Sequence, residues 1–277
     1  RAVGEGTGND VDIDDFDQWY HHVFLWDREA GRVEGAYRMG RVDAILRDLG
    51  VEGLYTSTLF DYAPGMWESL PPTLELGRAF FRSGSPQQHV ALPLLWRGIA
   101  AVLCRCPRYR MLTGPLSIDA AYSRRAVLTM LGHLKTHAYA ADLSGAVTPR
   151  TPVQVDTPGA EVWLSEGGLL PDMMALDAHI KSLEGRGVPV LLRQYSRLSA
   201  EVLGFNVDHD FSDVVDALVL VDLQRVDGAR LSRFMGHAAM LAYRSTLSAF
   251  PISDEHDTAA LFPCGCVAAA LVERQPG

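Results

Sequence analysis

The stretch "TLELGRAFFR", residues 73–82, decides the fold. Leu74, Leu76 and Phe80 sit at even spacing, so strand alternation puts them on one pleat face. Glu75, Gly77, Ala79 and Phe81 then share the other. Arg78 lies three residues from Glu75 and falls on the opposite face unless a bulge intervenes. An acid beside a glycine and an alanine has two readings. Glu75 faces water, or the small residues leave room for a ligand on which the acid works.

Outward from this strand the chain alternates pattern and punctuation. "WYHHVFLWD" (19–27) and "VEGAYRMG" (33–40) are strands joined by the turn "REAGR", which makes a hairpin. "VDAILRDLG" (42–50) has helical spacing and stops at Gly50. "LYTSTLF" reads as another short strand. On the far side, "SGSPQQH" is a polar loop and "VALPLLWRGIAAVLCR" (90–105) a buried helix with Pro93 in its first turn. "YRMLTGPLSI" (109–118) is a strand and 120–139 an amphipathic helix. Residues 142–170 read as a long loop, 172–187 as a helix closed by Gly185 and Gly187, and 189–205 as another helix. A strand at 216–223 and a helix at 227–243 follow. From about Ser245 no element is evident and a loose tail is expected. These elements imply an α/β (α+β) fold, a mixed sheet with helices packed on it.

The composition narrows the function. The chain has 277 residues and a net charge of −9, which argues against nucleic-acid partners. Residues 1–75 hold 15 acids and 6 bases, whereas 78–135 hold nine bases and one acid, Asp119. That local basic stretch suits an anionic partner: a phosphate-bearing cosubstrate, an acidic carrier protein or lipid headgroups. The competing reading scatters its arginines over several faces. Cys104/Cys106 and Cys264/Cys266 are too closely spaced for a usual zinc site, so free thiols in a reducing cytoplasm and no metal are expected. No apolar run is long enough for a membrane span, and no secretion signal is evident.

A strand, a polar loop and a helix start make an anion site, because the first helical N–H groups are free. The phosphate of a phosphopantetheine arm would lie near residues 85–90, by Ser85, Gln87, Gln88 and His89. Its amides would pair with the strand near Ala79 and Phe81. A thioester would then arrive beside Glu75, placed to take a proton from an attacking amine.

The chain resembles the GNAT-type bacterial N-acyltransferases of the ornithine-lipid and hemolysin-like group. The matching stretches include "DIDDFDQWYHHVFLWDREAGRVEGAYRMGR", "LELGRAFFR", "LLWRGIA", "YRMLTGPLSI" and "GVPVLLRQYSRLSAEVLGFNVDHDFSDVVDALVLVDL". The resemblance implies a GNAT-like, mostly antiparallel central sheet with helices on both faces, over residues 1–244, with 245–277 unassigned. It implies transfer of a long-chain acyl group from acyl carrier protein, or from acyl-CoA, to the α-amino group of ornithine or another amino acid. No cofactor is held; the acyl-phosphopantetheine thioester is the cosubstrate. Glu75 and Arg78 match the family's Glu and Arg, and Asp17 and His22 its Asp and His. The implied location is the cytoplasm, with peripheral contact to the inner membrane. The loop "RSGSPQQH" departs from the family's "R-P-E-Y-Q", Asp119–Ala120 replaces Ser-Asn, and the family's first strand and helices are missing, so the chain reads as truncated.

Two other classes compete: a non-catalytic remnant that binds a carrier protein or membrane, and a lysophospholipid O-acyltransferase. The His-x4-Asp pattern of the latter occurs as His22–Asp27 and His137–Asp142. The first pair lies on one strand at odd separation and faces opposite sides. His22 has a bland reading as a satisfied histidine beside the core. Arg78 has one as a structural ion pair, with Asp17 or Asp43. Trp96 and the leucines of 92–103 are core, or line an acyl tunnel.

Overall fold

The computed structural model describes residues 13–82, 88–249 and 268–272. The chain is mixed α/β, its sheet pairing mostly antiparallel, and it divides into two compact units. The first comprises Arg1–Leu54, Trp67–Leu112 and Leu223–Gly277; the second comprises Tyr55–Met66 and Thr113–Asp222.

In the first unit the expected hairpin forms from β1 (His21–Asp27) and β2 (Arg32–Arg41), which pair antiparallel. Helix α1 (Val42–Leu49) follows and ends at Gly50, whose φ of 74° suits a residue without Cβ. In the second unit, "LYTSTLF" is not one strand. Tyr55–Thr58 is a turn of 3-10 helix, closed by the Thr58 hydroxyl donating to the Tyr55 carbonyl. This local bond competes with strand formation. Only β3 (Phe60–Tyr62) is extended.

The opening stretch is β4 (Thr73–Phe81), antiparallel to β2. Helix α2 (Gln88–Arg105) packs on the hairpin. It starts two residues earlier than expected, so Pro93 lies inside it rather than in its first turn. Val23, Leu25, Tyr37, Met39, Leu74 and Leu76 are buried with Leu95, Trp96 and Ile99. Trp96 meets the rings of Tyr37 and Phe234, so it serves the core.

The second unit holds most of β5 (Met111–Ile118), then α3 (Arg124–His137). The expected loop at 142–170 contains three elements: α4 (Ala141–Ser144), β6 (Val147–Pro149), paired with β3, and α5 (Ala160–Leu169). Helix α5 escapes a periodicity search because it has little polar face. It is held by close backbone approach to α3, where a Cβ at Gly132 would stand 2.0 Å from the Leu164 carbonyl oxygen and one at Gly167 1.9 Å from that of Thr129. Helix α6 (Met173–Glu184) ends at Gly185 as expected. Helix α7 (Val190–Arg197) is half the expected length. The chain turns at Ser199 (φ 56°) into β7 (Glu201–Asp208), because Val202 and Phe205 gain more by pairing with β8 (Val214–Asp222).

In the first unit, the last expected helix is two, α8 (Gly228–Met235) and α9 (His237–Ala249), broken at Gly236 (φ 81°). The expected tail contains β9 (Ala268–Val272), parallel to β1.

Candidate active site

The register of β4 on β2 shifts once. Gly77 faces Arg38 and Phe80 faces Ala36, so Arg78 and Ala79 together oppose Tyr37. This is a β-bulge, and Arg78 takes a φ of 44°, costly for a side chain with Cβ. The extra residue changes which side chains share a face. Cross-strand partners point the same way, so Glu75, Gly77 and, beyond the bulge, Phe80 lie with Gly40, Arg38 and Ala36. Phe81 joins the face of Leu74 and Leu76. Simple alternation reversed these two phenylalanines.

Glu75 does not face water; it is 1% exposed. Its carboxylate accepts from the Tyr20 hydroxyl. A Cβ on Gly40, the cross-strand partner of Glu75, would stand 2.5 Å from the Tyr20 ring, so only glycine lets the ring lie there. The opposite holds at Gly77, where an added Cβ would meet nothing within 4 Å. The strand thus carries an open slot two residues from a buried acid, on the same face.

Beside this pair lies a cluster of charges. Arg38 is 1% exposed, and Nη1 donates to Asp14 (2.6 Å) and Asp17 (3.0 Å). Its guanidinium stands 4.9 Å from the Tyr20 ring and 5.7 Å from the Phe16 ring. A buried arginine needs such partners, and stripping them costs about 3–5 kcal/mol. Arg78 Nη2 donates to the second oxygen of Asp14 at 2.8 Å. Asp14 caps the short 3-10 helix Asp15–Gln18, accepting from the Asp17 amide while Asp17 accepts from its own. The cap fixes both carboxylates toward the arginines. Burial pushes the Asp14 carboxyl up, but Arg38 and Arg78 outweigh it and hold it below its ordinary value. His22 Nε2 stands 3.6 Å from Asp17.

The structure therefore gathers Asp17, His22, Glu75 and Arg78 around one sheet face. The bulge removes the objection that Arg78 must point away from it. Among the described residues Arg78 forms an ion pair with Asp14 rather than with Asp17 or Asp43, and Asp43 pairs with Arg108. Asp27 accepts from the amides of Glu29 and Ala30 in the hairpin turn, apart from His22. Ala79 forms the bulge and Phe81 the end of β4. Ser85 and Gln87 lie outside the described residues, as do the side chains of Gln88 and His89, which open α2, and Cys264 and Cys266. Cys104 and Cys106 are free thiols. Of the basic stretch, Arg78, Arg108 and Arg125 have carboxylate partners, Asp14, Asp43 and Glu166. Sequence reasoning missed Asp14, Tyr20 and Arg38. The signal for Arg38 was a lone cation in an apolar hairpin strand, preceded by the acidic run "DIDDFD". Among the described residues no group of three His, Cys, Asp or Glu is arranged to hold a metal ion, and no helix is long and apolar enough to cross a membrane.

A mixed, mostly antiparallel sheet thus carries a bulged strand with a buried acid beside the bulge. The acetyltransferase (GNAT) domain matches residues 1–97. The chain is 30% identical over 242 residues to a glycine N(alpha)-acyltransferase of Bacteroides thetaiotaomicron, covering 82% of this chain and 71% of that one. A glycine N(alpha)-acyltransferase of Phocaeicola vulgatus is 28% identical, over 82% of this chain and 73% of its own. No solved structure matches. The chain belongs to the GNAT family of acyltransferases, and N-acyl transfer is its class of reaction. Enzymes of this family draw the acyl group from cosubstrates of the acyl-CoA type.

Proposed function

We propose that this chain moves a fatty acyl group from a phosphopantetheine thioester to the α-amino group of an amino acid. The bulge of β4 beside the buried Glu75–Tyr20 pair carries this reading. A bulge leaves backbone groups out of the ladder, and an N–H freed there is a donor for the carbonyl oxygen of the thioester. The open space at Gly77 admits the reacting carbon. The amine approaches from the same face and gives up a proton, which passes to Glu75 by way of the Tyr20 hydroxyl. Nitrogen then bonds to the acyl carbon, and the carbon–sulfur bond breaks with release of the thiolate. The phosphate of the arm meets the free N–H groups at the start of α2.

Glycine is the first acceptor to test, because it stands in the relatives' names; ornithine is the second. Acyl carrier protein and coenzyme A are the two donors to compare. Peripheral contact with a membrane fits a product that carries an acyl chain. The burial of Glu75 favours one rival, a chain that binds a carrier without turnover.

Incubation with acyl-carrier and acyl-CoA thioesters and a panel of amino acids, with amide product read by mass spectrometry, decides between them. Amide formation should fall about 10²–10⁴-fold in Glu75→Gln, the usual loss of a general base. Carrier binding without amide from any acceptor refutes the reading, as does a Glu75→Gln variant with wild-type turnover.

A further inference from the structure

In the first unit the row Leu25–Gly35–Phe81 crosses three strands and faces α2. A Cβ on Gly35 would stand 3.2 Å from Leu95 Cδ1 and 3.4 Å from the Phe81 ring. The row Phe24–Ala36–Phe80 therefore lies on the opposite face of the sheet. Its neighbour on that face is the row His22–Arg38–Gly77, which holds the open slot. Trp26 continues the same face along β1.

The two sides of the slot differ. Toward Glu75 the face is closed, because Glu75, Gly40 and Tyr20 are all buried. Away from Glu75 it is open and apolar. Phe80 is 40% exposed, and Phe24, Trp26, Ala36 and Ala79 are half-buried. One exposed apolar side chain means little, but a contiguous set marks a binding surface.

The order large, small, large gives the row a shape. Neighbouring strands lie about 4.8 Å apart, so the backbones that carry Phe24 and Phe80 stand roughly 9–10 Å apart. Ala36 puts only a methyl group between the two rings. A polymethylene chain laid over Ala36 meets a ring on either side at about 4 Å, the ordinary contact between carbons. The row thus forms a trough one chain wide that opens at Gly77. It carries no charge, so its occupant is apolar.

Resting on the acyl-transfer reading, we propose that the acyl chain of the thioester lies in this trough, and that Ala36 sets how much chain is accepted. With the thioester carbon at Gly77, the chain has an open way over Ala36, while Tyr20 and Glu75 close the other. The arm leaves toward the start of α2, which packs on the opposite face and does not compete for the trough.

Acetyl-, hexanoyl- and decanoyl-pantetheine titrated into the full chain by calorimetry, with no acceptor present, test this. Each buried methylene should tighten binding about fourfold. Ala36→Leu fills the floor, so the dependence on chain length should flatten and decanoyl-pantetheine should bind roughly tenfold more weakly. Phe80→Ala removes one wall at an exposed position and keeps the core, and it should weaken the decanoyl compound more than the acetyl one. Equal affinity for the three thioesters in the wild-type chain overturns the trough and leaves the transfer reading standing. So does an undiminished dependence on chain length in both variants. Failure to bind any of the three speaks against the transfer reading and overturns the trough with it. A wild-type dimer that Phe80→Ala turns into a monomer gives the face to a second copy, and that too overturns the proposal.

Discussion

Tyr20→Phe removes one oxygen from the molecule and leaves the Glu75 carboxylate buried without its phenolic donor. Glu75 is 1% exposed and Tyr20 5%, so water has little access to replace the bond. Removing one partner of a buried hydrogen bond costs about 1–3 kcal/mol, more when the remaining partner is charged. The ring itself, lying against Gly40 and under Arg38, is retained in Phe, so packing contributes little. The double variant Tyr20→Phe/Glu75→Leu removes both polar partners, and such replacement is close to neutral for the bond itself. The two single losses should therefore exceed the double loss, with a coupling of about 1–3 kcal/mol, well above the ~0.5 kcal/mol of independent sites. Urea unfolding read by tryptophan fluorescence measures all four corners of the cycle. Singles that add to the double within that margin refute the buried pair, and with it the relay by which Glu75 is argued to reach the amine.

Gly77→Ala should leave the unfolding midpoint within about 0.5 kcal/mol of wild type, since the added Cβ meets nothing, while amide formation in the thioester assay drops as the slot fills. Gly167→Ala should lose about 1–3 kcal/mol, or roughly 2–4 °C in Tm per kcal/mol, because its Cβ would stand 1.9 Å from a backbone oxygen. Gly145→Ala, with open space, is the control that should not move. The Asp14 carboxyl is held below its ordinary 3.8, so its stabilising contribution is complete above that value and fades as pH falls below it. Asp14→Asn should thus flatten the acid limb of the stability curve, measured as urea midpoint against pH; an unchanged limb contradicts the Arg38–Asp14–Arg78 bridge.

The hairpin and β4 were legible because one side of each is apolar at regular spacing, and α2 because it is apolar almost all round. Helix α5 was not, because Gly167 and Gly168 serve contact with α3 at a range too short for any side-chain pattern. The strand β7 was hidden inside a helical pattern, since pairing with β8 outweighs local propensity. At the site, Glu75 and Arg78 were marked by their place on the strand. Their relation was misread because the bulge depends on Tyr37 of the neighbouring strand, which alternation within β4 does not register. Tyr20 was invisible for a similar reason. Its role arises from the glycine at position 40, on the neighbouring strand directly opposite the acid that Tyr20 meets.

The bulge also separates the scaffold from its chemistry. Ladder pairing is regular on both sides, with Gly77 on Arg38 and Phe80 on Ala36, and only Tyr37 faces two residues. Deleting Ala79 would leave every other partner in β2 and β4 unchanged and give Tyr37 a single one. The result would be a continuous ladder, free of the left-handed residue at Arg78, with the same core beneath it. The irregularity is therefore a modular insert of one residue, one that the sheet can lose while keeping its register.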